Sequence, residues 1–263
     1  MADFHIMAGT GRTLAHPTIR RIGVSDVLSA LREGLEDFFD RPSHYIFLCL
    51  IYPVAGLVLG TWASGANALP LIFPLVSGFA LLGPVAAIGL YEISRRRERG
   101  MDVSWQHAFD VRHSSALPSI ALIAVMLLVL FVVWLLIAEM IYVRTLGPTP
   151  PVSAGAFLGT VFTTAAGWQM ILIGNAAGFV LALIVLSTTV LAFPLLLDRD
   201  VGALVAVQTS ARAVAANPLP MAAWGVIVAA LMVLGSIPLL AGLAVVLPIL
   251  GHATWHLYRK VIA

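Results

Sequence analysis

Apolar residues in this chain gather into runs close to twenty long, separated by short polar stretches that hold nearly all of its charge. Six runs, roughly 43–62, 70–93, 117–142, 171–197, 219–236 and 238–258, are long enough as helices to cross the roughly 30 Å hydrocarbon layer of a bilayer. A further stretch, 151–173, is apolar but rich in Gly, Thr and Ala, and it follows Pro148, Pro150 and Pro151. It is expected to form an external loop and an interfacial helix leading into the fourth span; the alternative is a seventh span.

Charge decides between these counts. Six spans place fourteen of the 15 Lys and Arg residues on one side, in 1–42, 94–116, 198–218 and the tail after 258, and leave only Arg144 on the other. Short loops rich in Lys and Arg stay on the cytoplasmic side, so both termini and the SRRRERG loop are expected there. A seventh span would export the basic segments that follow it.

The cytoplasmic segments carry a pattern of their own. In VSDVLSALREGLEDFFDRP, Val24, Val27, Leu28, Leu31, Leu35 and Phe38 recur at helical spacing, with Ser25 as N-cap and Pro42 as stop, which predicts an amphipathic helix over 24–42. Similar segments precede Pro118 and Pro218. Aligning those prolines superposes Arg99 on Arg199, Arg112 on Arg212, Ala116 on Ala216 and Glu98 on Asp198. The layout is that of three repeated helical hairpins, each a cytoplasmic helix, a proline, an outgoing span and a returning one.

Composition agrees. Apolar residues make up 60% of the 263, charged residues 11%, and the mean hydropathy is +0.98. A soluble domain usually carries about 25% charged residues. The fold class is therefore an all-α polytopic membrane protein, a six-span helical bundle with cytoplasmic amphipathic helices, and the lipid bilayer is its first partner. Its divisions are a flexible segment 1–23, the amphipathic helix 24–42, the membrane domain 43–258 and a tail 259–263. The net charge is only +2 and the basic residues sit in short loops without interleaved aromatics, which argues against nucleic acid. The lone Cys49 excludes an internal disulfide and a cysteine metal cluster. Residues 1–42 lack a signal-peptide core, so the first span is expected to direct insertion.

The stretches LREGLEDFFDRPSHYIFLCLIYPVAGLVLG, FPLVSGFALLGPVAAIGLYEISRRRERG and FPLLLDRDVGALVAVQTSARAVAANP together resemble a family of predicted integral membrane proteins catalogued as a domain of unknown function, found mainly in proteobacteria. The resemblance implies a bacterial inner-membrane protein. It supplies no site residues.

Candidate chemistry is sparse. His252 and His256 stand four apart, one above the other on a helix, where two imidazoles could ligate a haem or a metal. Trp255, Tyr258, Arg259 and Lys260 beside them make an interfacial belt the simpler reading, with no cofactor and no metal. Glu92 and Glu139 are the acids within spans, both near an end. The pairs Gly56–Gly60 and Gly174–Gly178 have the spacing that lets helices pack closely. No nucleophile elbow, phosphate loop or catalytic carboxylate pair is present, so no enzyme activity is expected.

The helix over 24–42 is the most informative segment. Its polar face shows Asp26, Glu33, Glu36, Asp37 and Asp40 against Arg32 and Arg41, a poor match to anionic lipid. It is expected to dock on protein, on Arg95, Arg96, Arg97 and Arg99 or on another membrane subunit. A non-catalytic accessory, assembly or interaction subunit is the expected role. A transporter of a small or lipidic substrate, and a redox protein using His252 and His256, are the alternatives.

Overall fold

The computed structural model describes residues 17–40, 56, 69–199, 201–238 and 240–263. The first expected span, with Pro42, Cys49 and Gly60, lies outside them apart from Gly56, a helical residue. The described residues form eight helices, α1 (Val24–Asp40), α2 (Leu69–Glu98), α3 (Leu117–Leu146), α4 (Ala154–Thr163), α5 (Ala165–Asp198), α6 (Ala203–Ala216), α7 (Pro218–Ser236) and α8 (Leu243–Val261). Among these, α2, α3, α5 and α7 are long and apolar enough to cross a membrane.

Proline shapes the long helices. Pro194 has no N–H and its ring crowds the carbonyl of residue 190, so α5 breaks at Val190–Leu191. The Leu191 amide is taken up by the Ser210 hydroxyl of α6 at 3.2 Å. Pro84 interrupts α2 in the same way, leaving a 3-10 turn at Ala80–Leu82. Between α2 and α3, where the sequence predicts an amphipathic α-helix, the chain forms a 3-10 helix, Trp105–His113. Its period of three brings Ala108 and Val111 to one edge, and Ala108 presses on Gly89, where an added Cβ would sit at 3.0 Å. The cap of α1 also differs from the Ser25 expected: the helix starts at Val24, and Asp26 Oδ2 accepts from the Gly23 amide at 2.8 Å.

The chain forms two compact units. The first holds α1, Gly83–Val125 and Leu186–Ala263. Its core is built from Ile88, Leu90 and Ile93 of α2, Leu191 to Leu197 of α5, Val205 and Ala206 of α6, Trp224 of α7 and Trp255, Leu257 and Tyr258 of α8, all buried. In this unit α7 and α8 form a tight hairpin. Leu240 takes a left-handed backbone (φ 68°), and a Cβ on Gly242 would stand 2.8 Å from Gly235 Cα. That turn delays the start of the last helix to Leu243, where the sequence predicts a span over 238–258. Its second half is buried against α1 rather than lipid-facing.

The second unit comprises Val54–Leu82 and Met126–Val185. The Trp134 indole donates to the Pro74 carbonyl at 2.8 Å, and Gly78 leaves room for that ring: a Cβ there would lie 2.6 Å from it. Apolar side chains such as Leu136, Leu172 and Phe179 are exposed, as lipid-facing residues are in a helix that spans a membrane. In the 151–173 stretch, α4 is a separate helix of 10 residues capped by Ser153, and α5 begins after an extended Thr164. Ten residues reach about 15 Å, half the hydrocarbon thickness.

Candidate functional site

The polar side chains of the first unit converge where α1 lies on α8. Val27, Ala30, Gly34 and Phe38 of α1 are buried in this junction. The helices touch at Gly34, where an added Cβ would stand 2.6 Å from Ala253 Cα. Closeness of the backbones lets short ion pairs form on both sides of the crossing. Lys260 donates to Glu33 at 2.7 Å; His256 Nδ1 lies 3.2 Å from Glu33 and its Nε2 2.9 Å from Asp37. Carboxylates only accept, so both His256 contacts are hydrogen bonds when both ring nitrogens carry protons. Arg97, at the end of α2, reaches Asp37 at 3.1 Å and also pairs with Asp40.

Below this layer His252 is buried, with Nδ1 2.6 Å from the Ser94 hydroxyl and 3.9 Å from Asp37. Ser, His and Asp are thus neighbours, but both partners face the same ring nitrogen. A relay through the imidazole needs them on opposite nitrogens, and Ser94 is itself only 3% exposed. The trio is a helix-packing contact among α1, α2 and α8. Among the described residues no group of three or more His, Cys, Asp or Glu side chains is arranged to hold a metal ion.

A second cluster lies at the other edge of α8. Arg259 contacts Glu98 at 2.9 Å and Asp198 at 3.4 Å, Arg99 donates to Asp198 at 3.0 Å, Tyr258 donates to Asp198 at 2.7 Å and the Trp255 indole donates to Glu98 at 3.0 Å. Glu98 and Asp198, superposed in the repeat alignment, therefore meet at one guanidinium. Nearby, a polar cavity of about 380 Å³ is lined by Glu92, Arg95, Arg96, Asp110, Asp198 and Arg199 among others. Arg95 grips the buried Glu92 with two hydrogen bonds of 2.8 and 2.9 Å, and Arg96 pairs with Asp110 at 3.1 Å.

The expected docking of the acidic helix on the arginine cluster thus runs through Arg97. Arg95 and Arg96 pair locally, Arg99 turns to Asp198, and Glu36 pairs with Arg32 of its own helix at 2.9 Å. The sequence reading missed α8 as the main surface for α1, and with it Lys260, Ser94, Glu98, Asp198 and Arg259. A signal was present: Gly251 and Ala253 flank His252, and small residues beside a buried polar one mark a close helix contact. Of the other glycine pair, Gly178 faces Trp134, with an added Cβ 3.2 Å from the ring, while Gly174 has no described atom within 4 Å.

Two acids of the junction sit below their ordinary values. For Asp37, burial pushes the value up, but the His256 hydrogen bond and the surrounding positive charge, of which Arg97 is the permanent part, outweigh it. For Glu33 burial again works upward and is overcome by the hydrogen bonds and charge of Lys260, with help from Ser29 and His256. Both carboxylates are therefore held in the charged form by the contacts that dock α1.

Long apolar helices with outward apolar side chains, joined at one end by a polar cluster, define an α-helical integral membrane protein. Residues 72–198 match the model of a family described as predicted integral membrane protein, DUF2189, a domain of unknown function. No curated protein and no solved structure matches the chain. The match covers most of α2 and all of α3, α4 and α5, and leaves α1 and α8 outside it.

Proposed function

We propose that this is a non-catalytic accessory or assembly subunit of the bacterial inner membrane, with six spans, both termini cytoplasmic and its charged side chains given over to holding helices and a membrane-protein partner. The observation that carries this reading is that Glu33, Asp37, Glu98, Asp198, Arg97, Arg99, Arg259 and Lys260, the charges gathered from four helices, are paired with one another. Groups so engaged build a rigid platform rather than act on a substrate. Parity supports the topology. The segment after residue 17, the ends of α2 and α5, and the end of α8 touch one another, so they share one side of the membrane, and each excursion between them crosses an even number of times. With the basic loops among them, that side is cytoplasmic.

The test is isolation of the full chain from native membranes after in-cell crosslinking, followed by reconstitution alone. A membrane protein recovered in fixed stoichiometry, with no solute uptake by the reconstituted chain and no Soret band, is the expected result. Uptake by proteoliposomes would replace this reading with a transporter using the polar cavity. A Soret band lost in His252→Ala or His256→Ala would replace it with a redox protein.

A further inference from the structure

The docked face of α1 accounts for only part of its apolar surface. Val24, Leu28, Leu35 and Phe39 are exposed, by 37%, 54%, 38% and 66%, and Leu31 is half-buried. At about 100° per residue these five fall within an arc of about 80°, adjacent to but distinct from the arc of Val27, Ala30, Gly34 and Phe38 that meets α8. The helix is amphipathic twice over, once toward protein and once outward.

We propose that this outer stripe is seated in the lipid surface, so that α1 lies along the cytoplasmic boundary of the bilayer, clamped to α8 on one flank and with Leu28, Leu35 and Phe39 in the acyl region. Three observations point to lipid as the occupant. The helix ends at Asp40, and the apolar run that the sequence reads as the first span starts at residue 43, so Phe39 stands within about 14 Å of its first residue whatever path the chain takes. No acid lies in the outer arc, and its neighbour at the edge is the exposed Arg32, placed to reach a headgroup phosphate. Finally, docking neutralises the acidic charge that opposes anionic lipid. Asp26, Glu33, Glu36, Asp37 and Asp40 are met by five cations on or beside the helix, Arg20, Arg21, Arg32, Arg97 and Lys260, of which the last three pair directly with four of those acids. Read from its own sequence α1 is acidic; docked, the patch is neutral.

The proposal rests on the membrane topology above, and the experiment separates the two. Single cysteines are placed at Leu28, Leu35, Phe39, Ser29, Glu36 and Val58 of the full chain in a Cys49→Ser background, spin-labelled, and reconstituted in nanodiscs of phosphatidylethanolamine and phosphatidylglycerol. Collisions with oxygen, which concentrates in lipid, are compared with those of a water-soluble nickel chelate. The expected result is an oxygen-to-nickel ratio severalfold higher at residues 28, 35 and 39 than at 29 and 36, approaching that at 58. Nickel excess at 28, 35 and 39 with oxygen excess at 58 overturns the proposal and leaves the topology standing. Low collision with both reagents at the stripe overturns it in favour of a protein cover, a second copy or a partner. Nickel excess at 58 removes the span and the proposal together. The labelled stripe positions are exposed, and a Val24→Cys label provides a second reading at the other end of the helix.

Discussion

Gly34→Ala is the sharpest probe of the α1–α8 junction, because one methyl group has to fit where backbone already stands. Its Cβ would lie 2.6 Å from Ala253 Cα and Cβ, closer still to the Ala253 amide nitrogen, and ordinary contact begins at 3.4 Å. Main-chain atoms inside a helix have no rotamer to escape to, so α1 must withdraw by nearly 1 Å. That shift would stretch Lys260–Glu33 from 2.7 Å and His256–Asp37 from 2.9 Å to beyond hydrogen-bond range. Overpacking of this kind costs about 1–3 kcal/mol, and loss of each of the two largely buried polar contacts adds about 1 kcal/mol. Against this, alanine is about 1 kcal/mol better than glycine in a helix interior. The net loosening is roughly 2 kcal/mol, or about thirtyfold in the undocked population. Hydrogen–deuterium exchange of the full chain in nanodiscs reads that population in the amides of α1, with the exposed Ser25→Ala as the control. Exchange should quicken by about that factor across the helix. Equal or slower exchange in Gly34→Ala would mean that helix propensity outweighs contact and that the helices do not approach as argued.

Acidification should release the same helix. Glu33 and Asp37 are depressed below 4.5 and 3.8, so their contribution is present above those values and is lost as pH falls through the depressed ones. Protection of α1, corrected for the intrinsic exchange rate at each pH, should begin to fall below about pH 4.5, and protection unchanged down to pH 3 would refute the role of these acids. The segment Thr18–Ile22 is held by the last residues of the chain, through Arg20 N to Val261 O and Ala263 N to Thr18 O, and by Asn217, which accepts from the Ile22 amide at 2.8 Å and donates to the Arg20 carbonyl at 3.1 Å, so Asn217→Ala should loosen it by roughly 1–3 kcal/mol. Tryptic cleavage at Arg20 and Arg21 should accelerate about tenfold or more, and an unchanged rate would count against this role of Asn217. In intact cells, a cysteine at Ser104 should resist an impermeant reagent that labels one at Ser153; the opposite pattern would reverse the orientation.

The sequence carried the long helices because burial in lipid imposes a length and a composition that survive without knowledge of neighbours. Leu117–Leu146 and Pro218–Ser236 stand close to where the apolar runs place them, and α1 runs over Val24–Asp40 within the expected 24–42. Other features depended on partners distant in the chain. The stripe from Val24 to Phe38 looks like one broad face on a helical wheel, and only the position of Ala253 divides it into a protein flank and an outer flank. The 3-10 form of Trp105–His113 was illegible because apolar spacings of three and four suit both helix types, and contact of Ala108 with Gly89 decides between them. Pairing of Lys260 with Glu33 rather than with headgroups likewise follows from a helix crossing, not from either local sequence.

The His256–Asp37 contact joins residues 219 positions apart. On a ribosome adding roughly 5–20 residues per second, α1 emerges about 10–40 s before the helix that will receive it. For that interval its carboxylates and its inner apolar face have no docking surface, while the long apolar helices α2, α3, α5 and α7 are made and threaded into the membrane. The outer stripe gives the waiting helix a place to rest on the bilayer. Completion of α8 then acts as the closing step of biogenesis, clamping α1 where it lies on the lipid surface and bringing the two ends of the described chain together. A chain truncated before Leu243 would insert its long helices and still leave α1 uncaptured, displaying to quality-control proteases the segment that the mature protein covers.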